Sequence, residues 1–121
     1  MSLLESGENY LESIYRLSMI KDGVHAIDVV NDLGFSKPSV SVALKKLKEQ
    51  NYLTINGESH IILTDKGLEI AKRIYERHQV ISSLLVKLGV SKETADEDAC
   101  KIEHDLSRES FEALKELNKK L

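Results

Sequence analysis

The sequence predicts a mainly α-helical protein, a winged helix-turn-helix followed by a second part that is wholly helical. Three observations predict it. Residues 26–50 read as a short helix, a break at "GFS" and a longer helix rich in lysine. Residues 52–64 alternate around Asn56-Gly57, the sequence pattern of a short hairpin. From residue 65 to the end, apolar residues return at helical spacing.

Composition bounds the rest. The 121 residues are 41% hydrophobic and 31% charged, which suits a globular chain and not a disordered one. No apolar run approaches the ~18 residues that a membrane helix needs. The start "MSLLESGENY" lacks the basic-then-apolar pattern of a signal peptide. A single cysteine cannot form an internal disulfide, so the cytoplasm is the expected location. The net charge of −3 is unevenly spread: residues 1–36 and 91–121 are acidic, whereas residues 37–77 carry eight basic against five acidic side chains. A basic middle between acidic ends lets one face meet phosphates while other parts attract cations.

Residues 5–20 repeat apolar positions at Tyr10, Leu11, Ile14, Leu17 and Ile20, and Gly23 can take the left-handed position after that helix. Residues 26–33 should face Ile27, Val30 and Leu33 inward. Ser36 can cap the next helix, with Pro38 in its first turn, where a missing N–H costs nothing. That helix should bury Val40, Ala43, Leu44 and Leu47 and leave Lys37, Ser39, Ser41, Lys45 and Lys48 outside. Strands are expected at 52–55 and 60–63. A helix over 65–88 should bury Leu68, Ala71, Ile74, Tyr75, His78, Ile81, Leu85 and Leu88. Gly67 is a mild local penalty in it, and Gly89 ends it. Ser91 and Ser107 can cap two further helices, the last with a stripe of Phe111, Leu114, Leu117 and Leu121. A domain boundary is expected between residues 70 and 71.

The order of short helix, glycine turn, lysine-bearing helix and hairpin points to double-stranded DNA. At the start of the second helix, Ser36, Ser39 and Ser41 are small enough to approach base edges, and Pro38 can touch a thymine methyl. Lys37, Lys45 and Lys46 can pair with phosphates. The competing reading is a protein-interaction module with a solvated lysine face.

A second feature is "EDACKIEHDLS", residues 97–107. On a helix, Cys100, Glu103 and His104 stand at i, i+3 and i+4 and share a face. A lone cysteine there is ordinarily a small buried apolar group, and a lone histidine a hydrogen-bonded one. Together they offer the thiol, carboxylate and imidazole of a metal site.

The segments "GENYLESIYRL", "FSKPSVSVALKKLKEQNYL", "LTDKGLEIAKRIYERHQVISSLL" and "DEDACKIEHDLS" resemble the metal-dependent repressors typified by the diphtheria toxin repressor and the manganese transport regulator. The resemblance covers roughly residues 7–110. It implies a bacterial or archaeal regulator, a homodimer, whose DNA binding a divalent metal turns on. It places the family's ligands on Asn9, Glu12, His78, Cys100, Glu103 and His104. Asn9 departs from the Met or Asp usual there and offers only a neutral amide oxygen. Ser82 and Asp96 stand where larger members place further ligands; of the two, Asp96 could coordinate. Iron-type members continue into an SH3-like domain, and a short form without it is expected from the end at Leu121.

The mixture of a soft thiol, imidazoles and hard carboxylates favours Fe(II), with Mn(II), Zn(II), Co(II) or Ni(II) as alternatives. Activation should weaken as pH falls through the imidazole range, because ligands must be deprotonated. His25 and His60 read as a loop and a wing residue. Residues 71–121 are expected to form a helical dimerisation domain through Ile102, Leu106, Phe111, Leu114 and Leu117. Two other functions compete: a winged-helix regulator without metal control, and a small metalloenzyme using Cys100 and His104. The sequence shows no nucleotide loop, Gly-x-Ser-x-Gly or His-Glu-x-x-His motif, so an enzyme is not expected.

Overall fold

The computed structural model describes residues 5–121. Its elements run α1 (Glu5–Ile20), α2 (Ala26–Leu33), α3 (Lys37–Glu49), β1 (Leu53–Ile55), β2 (Ile61–Leu63), α4 (Asp65–Lys87), α5 (Lys92–Ile102) and α6 (Arg108–Lys120). The chain forms two compact units, one ending at Lys72 and one running from Arg73 to Leu121.

The first unit is a winged helix-turn-helix. Its core gathers Tyr10, Leu11 and Ile14 of α1, Val29 of α2, Val40, Leu44 and Leu47 of α3, and Leu53 and Ile61 of the hairpin. The expected α1 stripe holds as far as Leu17, which is half-buried; Ile20 is 80% exposed, one turn beyond the elements that cover the stripe. α2 turns a different face inward from the one expected. Val29 is fully buried and Ile27 is 45% exposed. Residues 29, 30 and 33 fall within about a third of the helix circumference at 3.6 residues per turn, and Ile27 lies outside that arc. α1 and α2 are joined by Asp32, which accepts from Ser13 Oγ at 2.7 Å and from Arg16 Nη2 at 2.8 Å. Burial alone would raise the Asp32 carboxyl, but the hydrogen bonds from Arg16 and Ser13 hold it below its usual range.

The local signals explain the helix ends. Asp28 Oδ2 accepts from the His25 N–H at 2.8 Å and starts α2. Gly34, at φ +73, closes it with its N–H on the Val30 carbonyl. The Ser36 hydroxyl caps α3 by accepting from the Ser39 N–H, with Pro38 in the first turn. Of the expected inward set on α3, Val40, Leu44 and Leu47 are buried and Ala43 is half-buried.

The wing pairs Leu53 with Leu63, Thr54 with Ile62 and Ile55 with Ile61. Each strand is one residue shorter than expected, with Tyr52 and His60 outside. Asn56 shapes the turn through its side chain: its Oδ1 accepts from Glu58 N–H at 2.9 Å and His60 N–H at 3.0 Å. The left-handed residue is Ser59, at φ +63. Val24 adds a bridge to the wing, its carbonyl accepting from Ile61 N–H at 2.7 Å.

Gly67 is not the mild penalty expected of it. α4 begins tight against the chain that links α3 to β1, and a Cβ at Gly67 would collide with the Tyr52 carbonyl oxygen. That carbonyl is itself held by Thr64 N–H at 3.1 Å, so moving it away strains a backbone hydrogen bond.

In the second unit Ile74, Ile81 and Leu84 of α4, Ala95 and Ala99 of α5, and Phe111 of α6 are buried. Leu84 takes the buried place expected for Leu85, and Leu88 is 63% exposed where Gly89, at φ +102, turns the chain away. Ser91 and Ser107 cap α5 and α6 as their sequence positions suggest. α5 stops at Ile102, so Glu103 and His104 occupy a turn and not the helix the sequence suggested. On α6, Phe111 is 3% exposed and packs within its own chain, which removes it from the surface proposed for a dimer; Leu117 stays 44% exposed.

Gly67→Ala should destabilise the protein by about 1–3 kcal/mol, the usual cost of overpacking a site that cannot relax. Gly57→Ala, where a Cβ meets nothing within 4 Å, should be nearly neutral. Urea unfolding of both variants beside the parent checks this, and equal midpoints for the two would show that the Tyr52 carbonyl yields.

Candidate metal centre and DNA-facing helix

Three side chains of the second unit converge. His78 of α4, Cys100 of α5 and Glu103 at the C-cap of α5 each offer one ligand atom, and these atoms lie within 4.8 Å of one another. The convergence follows from where α5 ends. Glu103 keeps right-handed helical dihedrals and its N–H bonds to the Ala99 carbonyl, so its side chain still points one turn along from Cys100. Arg77 terminates the helix. Its Nη1 donates to the Glu103 carbonyl at 3.1 Å and the Leu106 carbonyl at 2.7 Å, and its guanidinium lies 5.3 Å from the Phe111 ring centroid. The sequence reading missed this residue, whose partners lie 26 and 29 residues further along the chain.

Glu103 is fully buried, which is costly for a carboxylate unless it is compensated. His78 Nδ1 stands 2.9 Å from Glu103 Oε2. His104 Nε2 is 3.5 Å from Oε1, which accepts no hydrogen bond from any described residue. The nearby Cys100 sulfur and the Glu103 carboxylate push the His78 imidazole up to about 10. A buried, incompletely satisfied carboxylate beside an imidazole and an exposed thiol is a donor set that suits a divalent transition metal.

The other side of His78 faces Asp96. His78 Nε2 is 3.7 Å from Asp96 Oδ1, the oxygen that also accepts from Ser82 Oγ at 2.5 Å and Lys92 Nζ at 2.7 Å. Those hydrogen bonds, that of Lys92 foremost, hold the Asp96 carboxyl below its usual range.

Asn9 and Glu12 lie on α1 in the first unit, Asn9 half-buried and Glu12 buried, with Glu12 Oε1 3.6 Å from Arg16 Nε. His25 and His60, read as loop and wing residues, meet edge to face with ring centroids 4.7 Å apart.

On α3, Ser36, Lys37, Pro38, Ser39, Ser41, Lys45 and Lys46 are all exposed. The Ser36 hydroxyl is engaged by the cap and donates to Ser39 Oγ at 2.8 Å, so these two hydroxyls are fixed to one another. The sequence reading overlooked Val42, which is 57% exposed one turn after Pro38 and presents an apolar group on the same face.

The family models divide the chain ahead of α4. Residues 2–61 match the family model described as iron dependent repressor, N-terminal DNA binding domain, and residues 64–121 match iron dependent repressor, metal binding and dimerisation domain. The chain belongs to the iron-dependent repressor family. It is 38% identical to an uncharacterised HTH-type transcriptional regulator of Methanocaldococcus jannaschii, across 92% of this chain and 90% of that protein. It is 33% identical to the transcriptional regulator MntR of Salmonella typhimurium, across 88% of this chain and 68% of that protein. Among solved structures, the manganese regulator SloR superposes with a TM-score of 0.82 at 27% identity, over 97% of this chain and 54% of that one. ScaR with bound Zn2+ superposes with a TM-score of 0.75 at 29% identity, over 92% and 52%. The chain thus spans about half the length of these solved regulators. Membership makes it a metal-dependent transcriptional regulator and not an enzyme. Among the described residues, no helix is long and apolar enough to cross a membrane.

The raised imidazole of His78 has a sign that can be checked. Its value in the folded protein, about 10, exceeds the ordinary 6.5. The folded state therefore binds this proton more tightly than the unfolded chain does. Its contribution to stability is complete below pH 6.5, declines above that and is lost as pH rises through about 10. In metal-free protein, the stability difference between the parent and His78→Gln should shrink over that window, as followed by urea unfolding at a series of pH values. A difference that stayed constant from pH 6 to 10.5 would contradict the assignment.

Proposed function

We propose that this chain is a repressor that binds its operator as a homodimer when Fe(II) is bound by His78, Cys100, Glu103 and His104, with Asn9 and Glu12 of α1 completing the ligand set, and that it controls genes of metal homeostasis. The observation that carries the reading is the buried Glu103 carboxylate, paired with His78 and left with an unused oxygen beside His104. A divalent ion would supply the positive charge that this oxygen lacks.

The protein's own groups do the rest. Glu103 and His78 would hold the ion against α4 and α5, Arg77 fixes the Glu103 backbone, and Asn9 and Glu12, as ligands, would make α1 respond to occupancy. Dimer half-sites lie about one helical turn of DNA apart, so a few ångströms of misplacement costs one of the two grooves. A bias of a few kcal/mol between poorly and well placed arrangements then changes occupancy greatly. Of the dimer surface expected from sequence, Ile102, Leu106, Leu114 and Leu117 remain available.

Cys100 favours Fe(II), because a thiol is soft and a manganese site prefers an oxygen donor there. The second reading is Mn(II), which the relatives named MntR and the manganese regulator SloR favour. Anaerobic operator titrations with Fe(II), Mn(II) and Zn(II) decide between them. Glu103→Gln and His104→Ala should abolish metal-stimulated operator binding and leave the dimer intact. Cys100→Ser should weaken the Fe(II) response and bring Mn(II) closer to it. If all three variants bind DNA with the parent's metal response, the site is not the sensor.

The α3 reading is tested separately. Lys46→Ala should weaken binding to all sequences alike and reduce the salt slope by about one unit. Val42→Ala and Pro38→Ala should alter sequence preference by about 1–3 kcal/mol per affected base pair. Gel-shift competition among operator variants at several salt concentrations measures both, and a change of preference in Lys46→Ala would reverse the assignment.

A further inference from the structure

His78 has two sides. Nδ1 faces the Glu103 carboxylate at 2.9 Å, in the cluster completed by Cys100. Nε2 faces a second carboxylate, Asp96, at 3.7 Å. By residue type, a carboxylate and an imidazole nitrogen on that side could begin a second cation site. The carboxylate on that side is already engaged. Asp96 Oδ1, the oxygen nearest His78, is already held by two donors: the buried Ser82 hydroxyl at 2.5 Å and the Lys92 ammonium at 2.7 Å. Lys92 Nζ also reaches Ser82 Oγ at 3.5 Å, so hydroxyl, ammonium and carboxylate form a closed triangle. The spacing is built in, because Lys92 and Asp96 stand at i and i+4 in the first turns of α5.

We propose that Lys92 and Ser82 keep Asp96 out of metal coordination, so that each subunit loads one ion, on the Glu103 side of His78, and that releasing Asp96 opens a second position on the Nε2 side. This rests on the metal reading above and adds its stoichiometry. The reason is electrostatic. An ammonium at 2.7 Å, although 72% exposed, offsets part of the Asp96 charge and places a positive charge where a second ion would sit. A divalent ion entering there must displace the ammonium, strip the Ser82 hydrogen bond and accept repulsion from the ion already on the other side of the same ring. Among the described residues, no lysine ammonium is paired with Glu103.

Three proteins test this, each titrated with Co(II) and with Mn(II) by calorimetry, with bound metal counted after equilibrium dialysis. The parent should hold one ion per chain. Lys92→Met with Ser82→Ala should hold two, the second weaker than the first. Asp96→Asn should hold one with the parent's affinity, within about threefold, because its carboxylate takes no part; this variant keeps the test valid if the double variant fails to fold. Two ions on the parent, one on a folded double variant, or a tenfold or greater loss of affinity in Asp96→Asn each overturns the inference. The last two outcomes leave the sensor reading standing, since the parent still binds its ion. No ion on the parent overturns both.

Discussion

The second unit is organised around one costly group, the carboxylate of Glu103. A charge taken fully out of water must be matched by partners or it destabilises the fold. Here the matching is shared between side chain and backbone. His78 faces one carboxylate oxygen at 2.9 Å, His104 approaches the other at 3.5 Å, and Arg77 holds the residue's own carbonyl at 3.1 Å. Arg77 and His78 are neighbours on α4, so a single turn of that helix grips Glu103 from the backbone side and from the carboxylate side. Changing any one of these groups leaves a buried charge or a buried carbonyl without its partner. That explains why α5 ends where it does: its last turn is claimed by α4 before the helix can run on.

The elements that local chemistry decides were legible in the sequence. Ser36, Ser91 and Ser107 cap the helices they precede, Gly34 and Gly89 take left-handed positions, and Asn56 builds the wing turn. What stayed hidden depends on residues far apart in the chain. Gly67 looks like a weak point in a helix until the Tyr52 carbonyl is seen against it. On eight-residue α2, an apolar pattern too short to fix its own phase leaves Ile27 and Val29 equally plausible as the buried residue, and tertiary packing selects Val29. Of the candidate site, Cys100 and Glu103 were visible as a spacing and His78 through family resemblance. Arg77, Lys92 and the end of α5 were not, because each acts through a partner at least four residues away and mostly on another element.

On the proposed reading, the exposed face of α3 would read DNA without a large charge. Its lysines are few, so the attraction to phosphate that is independent of sequence is modest. What it offers instead is shape. Ser36 and Ser39 are fixed to each other at 2.8 Å, Pro38 restricts the backbone, and Val42 adds an apolar contact one turn further on. Groups already ordered lose little entropy on binding, which favours discrimination over raw affinity. A module of this kind benefits from a second copy, since two modest contacts held at a fixed separation multiply. The separation then becomes the quantity worth regulating.

A sensor must respond over the concentrations at which its ion is free, and the surroundings of His78 bear on that threshold. The proton on its imidazole is stabilised by Cys100 and Glu103. The ammonium of Lys92 stands against Asp96 on the ring's other side. Both are resident cations, and both oppose an incoming one. Without them, two carboxylates and two unprotonated ring nitrogens would face an incoming ion. On the proposed metal reading, an ion must bind well enough to displace a proton, and it has one side of the ring on which to do so. Cys100 would then tilt the competition toward ions that gain most from sulfur. Selectivity would come from cations already in place, which raise the threshold for every competitor, and from one soft ligand that lowers it again for a few.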